Sequence, residues 1–361
     1  MTPPAPSSLT SRLLDWYAQE GRALPWRDSP TPYAVWVSEI MLQQTRVESV
    51  LPYFRRWMER FPTVESLAAA SQEAVLSVWE GLGYYTRARN QHRAAQVVVE
   101  RYGGSLPADP RALRELPGIG EYTAAAIASI AFGRDTVAMD ANLRRVFARL
   151  FDVETPLGQR ETERRLRSLA EKHLPPGRAG DYNQALMDLG ALVCTPKAPR
   201  CEVCPLRGLC LAKANGTQAQ RPVRKPRSRT PHYDVSAAVI RRNGHILLAR
   251  RPENGMLGGL WEFPGGKVQP GETYQAALQR EIREELAAEI AVGDRIGTYR
   301  HAFTHFRITL RAYECRLRPA SPPLQALEHS ALAWVTPAEF DDYPMGAVDR
   351  QIARRLQGIQ T

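Results

Sequence analysis

Four of the five cysteines fall within seventeen residues, spaced Cys194-x6-Cys201-x2-Cys204-x5-Cys210. Four thiols on one short loop constrain it to close around a metal, because four soft sulfur donors suit tetrahedral zinc or an iron–sulfur cluster. A zinc ribbon shows two Cys-x2-Cys knuckles about fifteen to twenty residues apart. This chain has one knuckle, flanked by single outlying cysteines. Disulfide pairs and free core thiols explain that spacing less well.

At 361 residues the chain is long enough for two domains, since single cores stop growing near ~250–300 residues. Its 43% hydrophobic and 24% charged content are those of an ordinary soluble protein, and its net charge of +10 favours a polyanionic partner. No apolar run reaches the ~18–20 residues of a membrane span. The stretch Thr123 to Phe132 reads as a buried helix, and Met1 to Leu14 has no apolar signal core. Reduced thiols without an export signal give the expectation of an intracellular, cytoplasmic protein.

Residues 9–192 read as successive helices punctuated by Pro52, Pro62, Gly81, Gly103, Gly104, Pro107 and Pro117. The cysteine loop (194–210) closes this region, so one all-α domain is expected over residues 1–212. Residues 213–232 then interleave Arg221, Arg224, Lys225, Arg227 and Arg229 with Pro222, Pro226 and Pro231, the composition of an extended basic linker able to lie along DNA phosphates. From residue 233 the period becomes strand-like. Val235 to Ile240 and His245 to Arg250 flank Asn243-Gly244, a hairpin signal. Phe306, Ile308, Leu310 and Ala312 alternate with polar residues, and one helix is expected from Tyr274 to about Glu289. The expectation for 233–361 is a separate α+β domain.

Leu116-Pro117-Gly118-Ile119-Gly120 lies between two helical segments. Glycines there permit a tight hairpin whose following helix offers free N–H groups to phosphate. Asp140 follows, in Val137-Ala138-Met139-Asp140-Ala141-Asn142, and then the cysteines. Hairpin, aspartate and cysteine loop, in that order, resemble the helix-hairpin-helix DNA glycosylases of the endonuclease III superfamily across residues 9–212. The resemblance identifies the loop as a 4Fe-4S site held by Cys194, Cys201, Cys204 and Cys210. Strand-cutting members carry a lysine two residues after the hairpin's last glycine, to form a Schiff base. This chain has Tyr122 there. Glu39, in Trp36-Val37-Ser38-Glu39-Ile40-Met41-Leu42-Gln43-Gln44-Thr45, shares a helix face with Val35 and Leu42, and partial burial suits a carboxyl to general-acid work near neutral pH.

Glu39 with Tyr122, Asp140 and Asn142, together with the string from Trp36 to Val47 and with Gly81-Leu82-Gly83-Tyr84-Tyr85, resembles the adenine DNA glycosylases of the MutY family. Ala141 departs, where the family usually has glycine. The resemblance implies a monomer that flips and removes adenine opposite 8-oxoguanine or guanine in duplex DNA. Glu39 would protonate the base, Asp140 would stabilise the sugar cation, and Tyr122 and Asn142 would orient them. It also implies DNA contacts from Gln44, Thr45, Leu82, Tyr84, Gly118 and Gly120.

In the second region, Gly266-x5-Glu272-x7-Arg280-Glu281-Ile282-Arg283-Glu284-Glu285 is a near-complete Nudix box, following Trp261-Glu262-Phe263-Pro264-Gly265. Glu281, Glu284 and Glu285 fall on one helix face, a possible Mg2+ site beside a diphosphate. Ala287 and Ala288 depart from the usual glycine and apolar residue. In the MutY family such a domain resembles MutT and reads 8-oxoguanine. Phe303-Thr304-His305 matches the family's recognition loop, with threonine for serine.

Overall fold

Thr31 and Pro32 open the helix Pro32–Leu42: the Thr31 hydroxyl accepts the Ala34 N–H at 3.2 Å, and proline takes a first-turn position where its missing N–H costs no bond. Apolar side chains surround this helix on all sides, so it is buried, packed against the alanine-rich helix Glu121–Phe132. This computed structural model describes residues 6–224 and 230–359, so Lys225, Pro226, Arg227 and Arg229 of the expected linker lie outside the described residues.

The chain forms two units, one from Met1–Ala69 with Asn90–Arg227, the other from Ala70–Arg89 with Ser228–Thr361. The first unit is helical. The amphipathic helices Pro6–Glu20, Ala141–Leu150, Arg160–Lys172 and Ala179–Asp188 bury Leu9, Leu13, Phe147, Leu166, Tyr182 and Leu186 in one core. The helix-hairpin-helix runs from Pro110–Arg114 to Glu121–Phe132. Gly118 makes the hairpin: its φ of +78° is left-handed, and a Cβ there would meet the Asn90 side chain.

The expected spacer is not one along its first half. The Val223 carbonyl accepts the Leu157 N–H at 3.0 Å, and Arg149 Nε donates to the carbonyls of Gln218 and Arg221 at 2.9 and 3.0 Å. Arg221 is only 7% exposed and pairs with Asp152 and Glu154 at 2.8 and 2.9 Å. Its charge is committed within the unit, not held ready for DNA phosphates; Arg224 is exposed.

The second unit is a mixed sheet between two helices. Its strands are β1 (His232–Arg242), β2 (His245–Arg250), β3 (Trp261–Glu262), β4 (Ile290–Ala302), β5 (Arg307–Leu317) and β6 (Ala331–Val335), ordered β3-β2-β1-β5-β4 with β6 beside β2. Asn243 and Gly244 turn the β1–β2 hairpin with φ of +50° and +79°, as a two-residue turn of this type requires. Side chains alternate across β1: Ala237 and Val239 pack with Val348 and Ile352, whereas Ala238 and Ile240 pack with Leu278 and Ile282. The two covering helices are Ala347–Leu356 and Tyr274–Leu286. The first has no counterpart in the sequence reading, because only Val348, Ile352 and Ala353 of its ten residues are apolar and buried among arginines.

Candidate active site

Glu39 stands on the buried helix Pro32–Leu42 and is 4% exposed. The Tyr122 hydroxyl donates to its Oε2 at 2.6 Å. Burial, opposed by the Tyr122 bond and Arg27 and aided by the charge of Asp140, pushes the Glu39 carboxyl up to about 7. The group therefore holds a proton near neutrality, as a general acid must. Both residues line a cavity of about 400 Å³ with Asp140, Asn142, Thr45 and Met187, within the range of sites that enclose small organic groups.

Asp140 caps the helix Ala141–Leu150. Its Oδ1 accepts the Leu143 N–H at 2.7 Å and its Oδ2 accepts the Asn142 amide at 2.8 Å. Burial raises its carboxyl, while those donors and Arg145 pull it down. Ala141 is exposed at the first helical position, so its methyl leaves the cap intact. The same helix reaches the cysteine loop. Arg145 gives Nη2 to Asn142 Oδ1 and to the Gly190 carbonyl, and Nε to the Cys194 carbonyl, each at 2.7 Å. Arg149 Nη1 approaches Cys194 Sγ at 3.3 Å. Sequence reasoning missed Arg145; the available signal was an arginine among the apolar residues Leu143, Val146 and Phe147, 5% exposed in the structure.

Cys194, Cys201, Cys204 and Cys210 line one cavity with Arg149, and all are free thiols. Among the described residues no three His, Cys, Asp or Glu side chains are placed to share a single ion. Four cysteines lining one cavity suit a cluster whose irons each take one sulfur. Burial pushes the Cys204 thiol up to about 12, so its thiolate needs a cationic group to bind.

The expected DNA-contacting residues divide by exposure. Gln44 and Tyr84 are exposed and both left-handed, with φ of +57° and +50°. L residues adopt that conformation when their surroundings enforce it, often at working sites. Thr45 is half-buried, with Oγ1 donating to the Gln43 carbonyl at 3.3 Å. Gly118 and Gly120 are exposed beside the uncapped start of Glu121–Phe132. Leu82 differs from expectation: at 7% exposure it is an internal prop of its loop, not a presented surface.

In the second unit Thr304 and His305 are exposed at the tip between β4 and β5. Phe303 is turned inward and stacks on Phe306 with centroids 4.6 Å apart. The Tyr84 and Thr304 hydroxyls share a hydrogen bond. The expected Mg2+ set is not assembled. Arg280 occupies it, pairing with Glu281 and Glu284 at 2.9 Å and with Glu272 at 2.8 Å. Burial among Glu262 and Glu281 pushes Glu285 up to about 8, which leaves it a neutral acid at pH 7.

Comparison with known proteins distinguishes three regions by sequence and keeps Ala70–Arg89 within the helical one. Residues 37–172 match the HhH-GPD superfamily of base excision DNA repair proteins, residues 194–210 the iron–sulfur binding domain of endonuclease III, and residues 236–355 the NUDIX domain. Adenine DNA glycosylase of Homo sapiens is 37% identical over 96% of this chain and 74% of its own length; that of Mus musculus is 36% identical over 97% and 78%. The solved structure of a thermostable thymine-DNA glycosylase aligns with 58% of this chain and 97% of its own, at 29% identity and a TM-score of 0.53. Among the described residues no helix is long and apolar enough to cross a membrane.

Proposed function

The chain belongs to the adenine DNA glycosylase family, with the iron–sulfur and NUDIX domains of a base-excision-repair enzyme, and we propose that it excises adenine mispaired with 8-oxoguanine or guanine without cutting the strand. The observation that carries this reading is the buried Glu39 carboxyl, pushed up to about 7, in one cavity with Asp140 and bonded to a tyrosine where a lyase would hold lysine. Extruding a stacked base costs a few kcal/mol, which Gln44 and Tyr84 offset by entering the stack. Glu39 gives its proton to adenine N7, making the base a better leaving group. Asp140 stabilises the cation left on the sugar, as a carboxylate does in glycoside hydrolysis, and the ionised Glu39 then activates water. Tyr122 and Asn142 hold the two carboxyls. Cys194, Cys201, Cys204 and Cys210 would hold a 4Fe-4S cluster, which would order the loop that presents Arg200 and Arg207; hydrolysis uses none of its electrons. Thr304 and His305 read the opposing base, and the enzyme acts as a monomer on DNA inside the cell.

The test is single-turnover incubation with a duplex carrying adenine opposite 8-oxoguanine, analysed with and without alkali. Breakage only after alkali is expected. Breakage without it would identify a lyase and overturn the reading.

A further inference from the structure

The loop that carries Tyr84 starts and finishes on one residue far along the chain. Glu80, which ends the helix Gln72–Trp79, accepts the Met345 N–H at 3.2 Å. Tyr85 donates its hydroxyl to the Met345 carbonyl at 3.1 Å and accepts the Gly81 N–H at 3.2 Å. Between these anchors Gly81, Gly83 and Tyr84 are all left-handed, with φ of +95°, +77° and +50°. Such a run persists where its ends are fixed.

What fixes Glu80 is Arg350 of the helix Ala347–Leu356. Its Nε and Nη2 meet the two Glu80 oxygens at 2.5 and 3.0 Å, a two-point pairing that lysine cannot make. Its remaining donors go to the carbonyls of Phe340 and Tyr343 at 2.8 and 2.7 Å and to the exposed Asp341 carboxylate at 3.2 Å. Arg350 and Glu80 side chains are 12% and 19% exposed, so the pair is shielded and rigid. Arg89, beyond the loop, donates to the Gly258 carbonyl at 2.6 Å. The NUDIX unit thus holds the Tyr84 loop on both sides, and the Tyr84 hydroxyl meets Thr304.

We propose that Glu80, Tyr85 and Arg350 are positioning residues that set Tyr84 against Thr304, so that separating the strands and reading the orphaned base are one preformed cassette. This rests on the reading above that Tyr84 enters the duplex. Arg350 itself lines neither the Glu39 cavity nor the one beside Phe303, yet its loss should mimic loss of the wedge.

A double-mutant cycle on the full chain tests it, using Tyr84→Leu and Arg350→Gln. The duplex carries adenine opposite 8-oxoguanine with 2-aminopurine as neighbour, whose fluorescence reports unstacking. Arg350→Gln should weaken binding roughly tenfold and cut the unstacking signal, and adding Tyr84→Leu should then cost less than about twofold more, as for coupled contacts. Arg350→Lys should behave like Arg350→Gln. If the two losses simply multiply, or if Arg350→Gln leaves unstacking at the wild-type level, the proposal fails. Thermal melting screens for misfolding, and should Arg350→Gln melt early, Glu80→Gln in the same cycle decides by the same criterion. A wild-type chain that binds and unstacks nothing would instead overturn the functional reading beneath it.

Discussion

Glu39 illustrates a residue held against its own stability. Its folded pKa, near 7, lies above the ordinary 4.5, so the folded state binds a proton more tightly than the unfolded one. Stability therefore falls as pH rises between about 4.5 and 7, and an uncharged isostere escapes that loss. Glu39→Gln should abolish adenine release while retaining mismatch binding, and should raise the melting temperature at pH 7.5. Retained turnover would sink the acid assignment; an unchanged melting temperature would show the carboxyl to be better solvated than its burial implies. Tyr122 refines the point. Its hydroxyl stabilises the charged carboxylate, so Tyr122→Phe should raise the Glu39 pKa and move the alkaline limb of the single-turnover pH profile upward, even as the rate drops. A limb that moves down would reverse the sign of that bond. Glu39 and Asp140 were legible in the sequence because each sits in a local string. Arg145 was not, because its partners Gly190 and Cys194 are 45 and 49 positions away.

Elements were read best where the signal is local. The Asn243-Gly244 turn, the alternation along β5 and the helix Glu121–Phe132 all follow from neighbours a few residues apart. The hairpin glycines look equivalent in sequence and differ in the structure. Gly118 is left-handed with no room for a Cβ, whereas Gly120 has φ of −85° and open space. Gly118→Ala should cost about 1–2 kcal/mol and weaken DNA binding, with Gly120→Ala near neutral in denaturant unfolding. Equal effects would remove the hairpin's special geometry from the account. The departure at Ala287 has a similar cause. It closes the helix Tyr274–Leu286 with φ of +52°, a conformation that glycine takes without penalty. Ala287→Gly should stabilise the chain by about 1 kcal/mol, measured by chemical denaturation. A loss of stability would mean that the alanine methyl packs usefully.

At the scale of the whole molecule, the sequence shows two regions joined by a basic stretch, but the grouping of Ala70–Arg89 with Ser228–Thr361 was invisible to it. That grouping rests on contacts such as Glu80–Arg350 and Tyr85–Met345, separated by 270 and 260 positions, which no periodicity encodes. It changes what truncation means. Removing residues 231–361 would take away the recognition tip and, with it, every partner named above for the Tyr84 loop, leaving Glu80 without its guanidinium. His305→Ala in the full chain removes only contacts to the opposing base, worth about 1–3 kcal/mol of discrimination, whereas Thr304→Ala also takes away the partner of the Tyr84 hydroxyl. His305→Ala should therefore lower the preference for 8-oxoguanine over guanine opposite adenine while keeping affinity for the adenine–guanine duplex, and Thr304→Ala should lower the preference and part of that affinity. The truncated chain should lose both, because its wedge is no longer held. Binding to the two duplexes, measured side by side for all three proteins, separates these outcomes. Full affinity for the adenine–guanine duplex in the truncated chain would show that the wedge orders itself without the NUDIX unit.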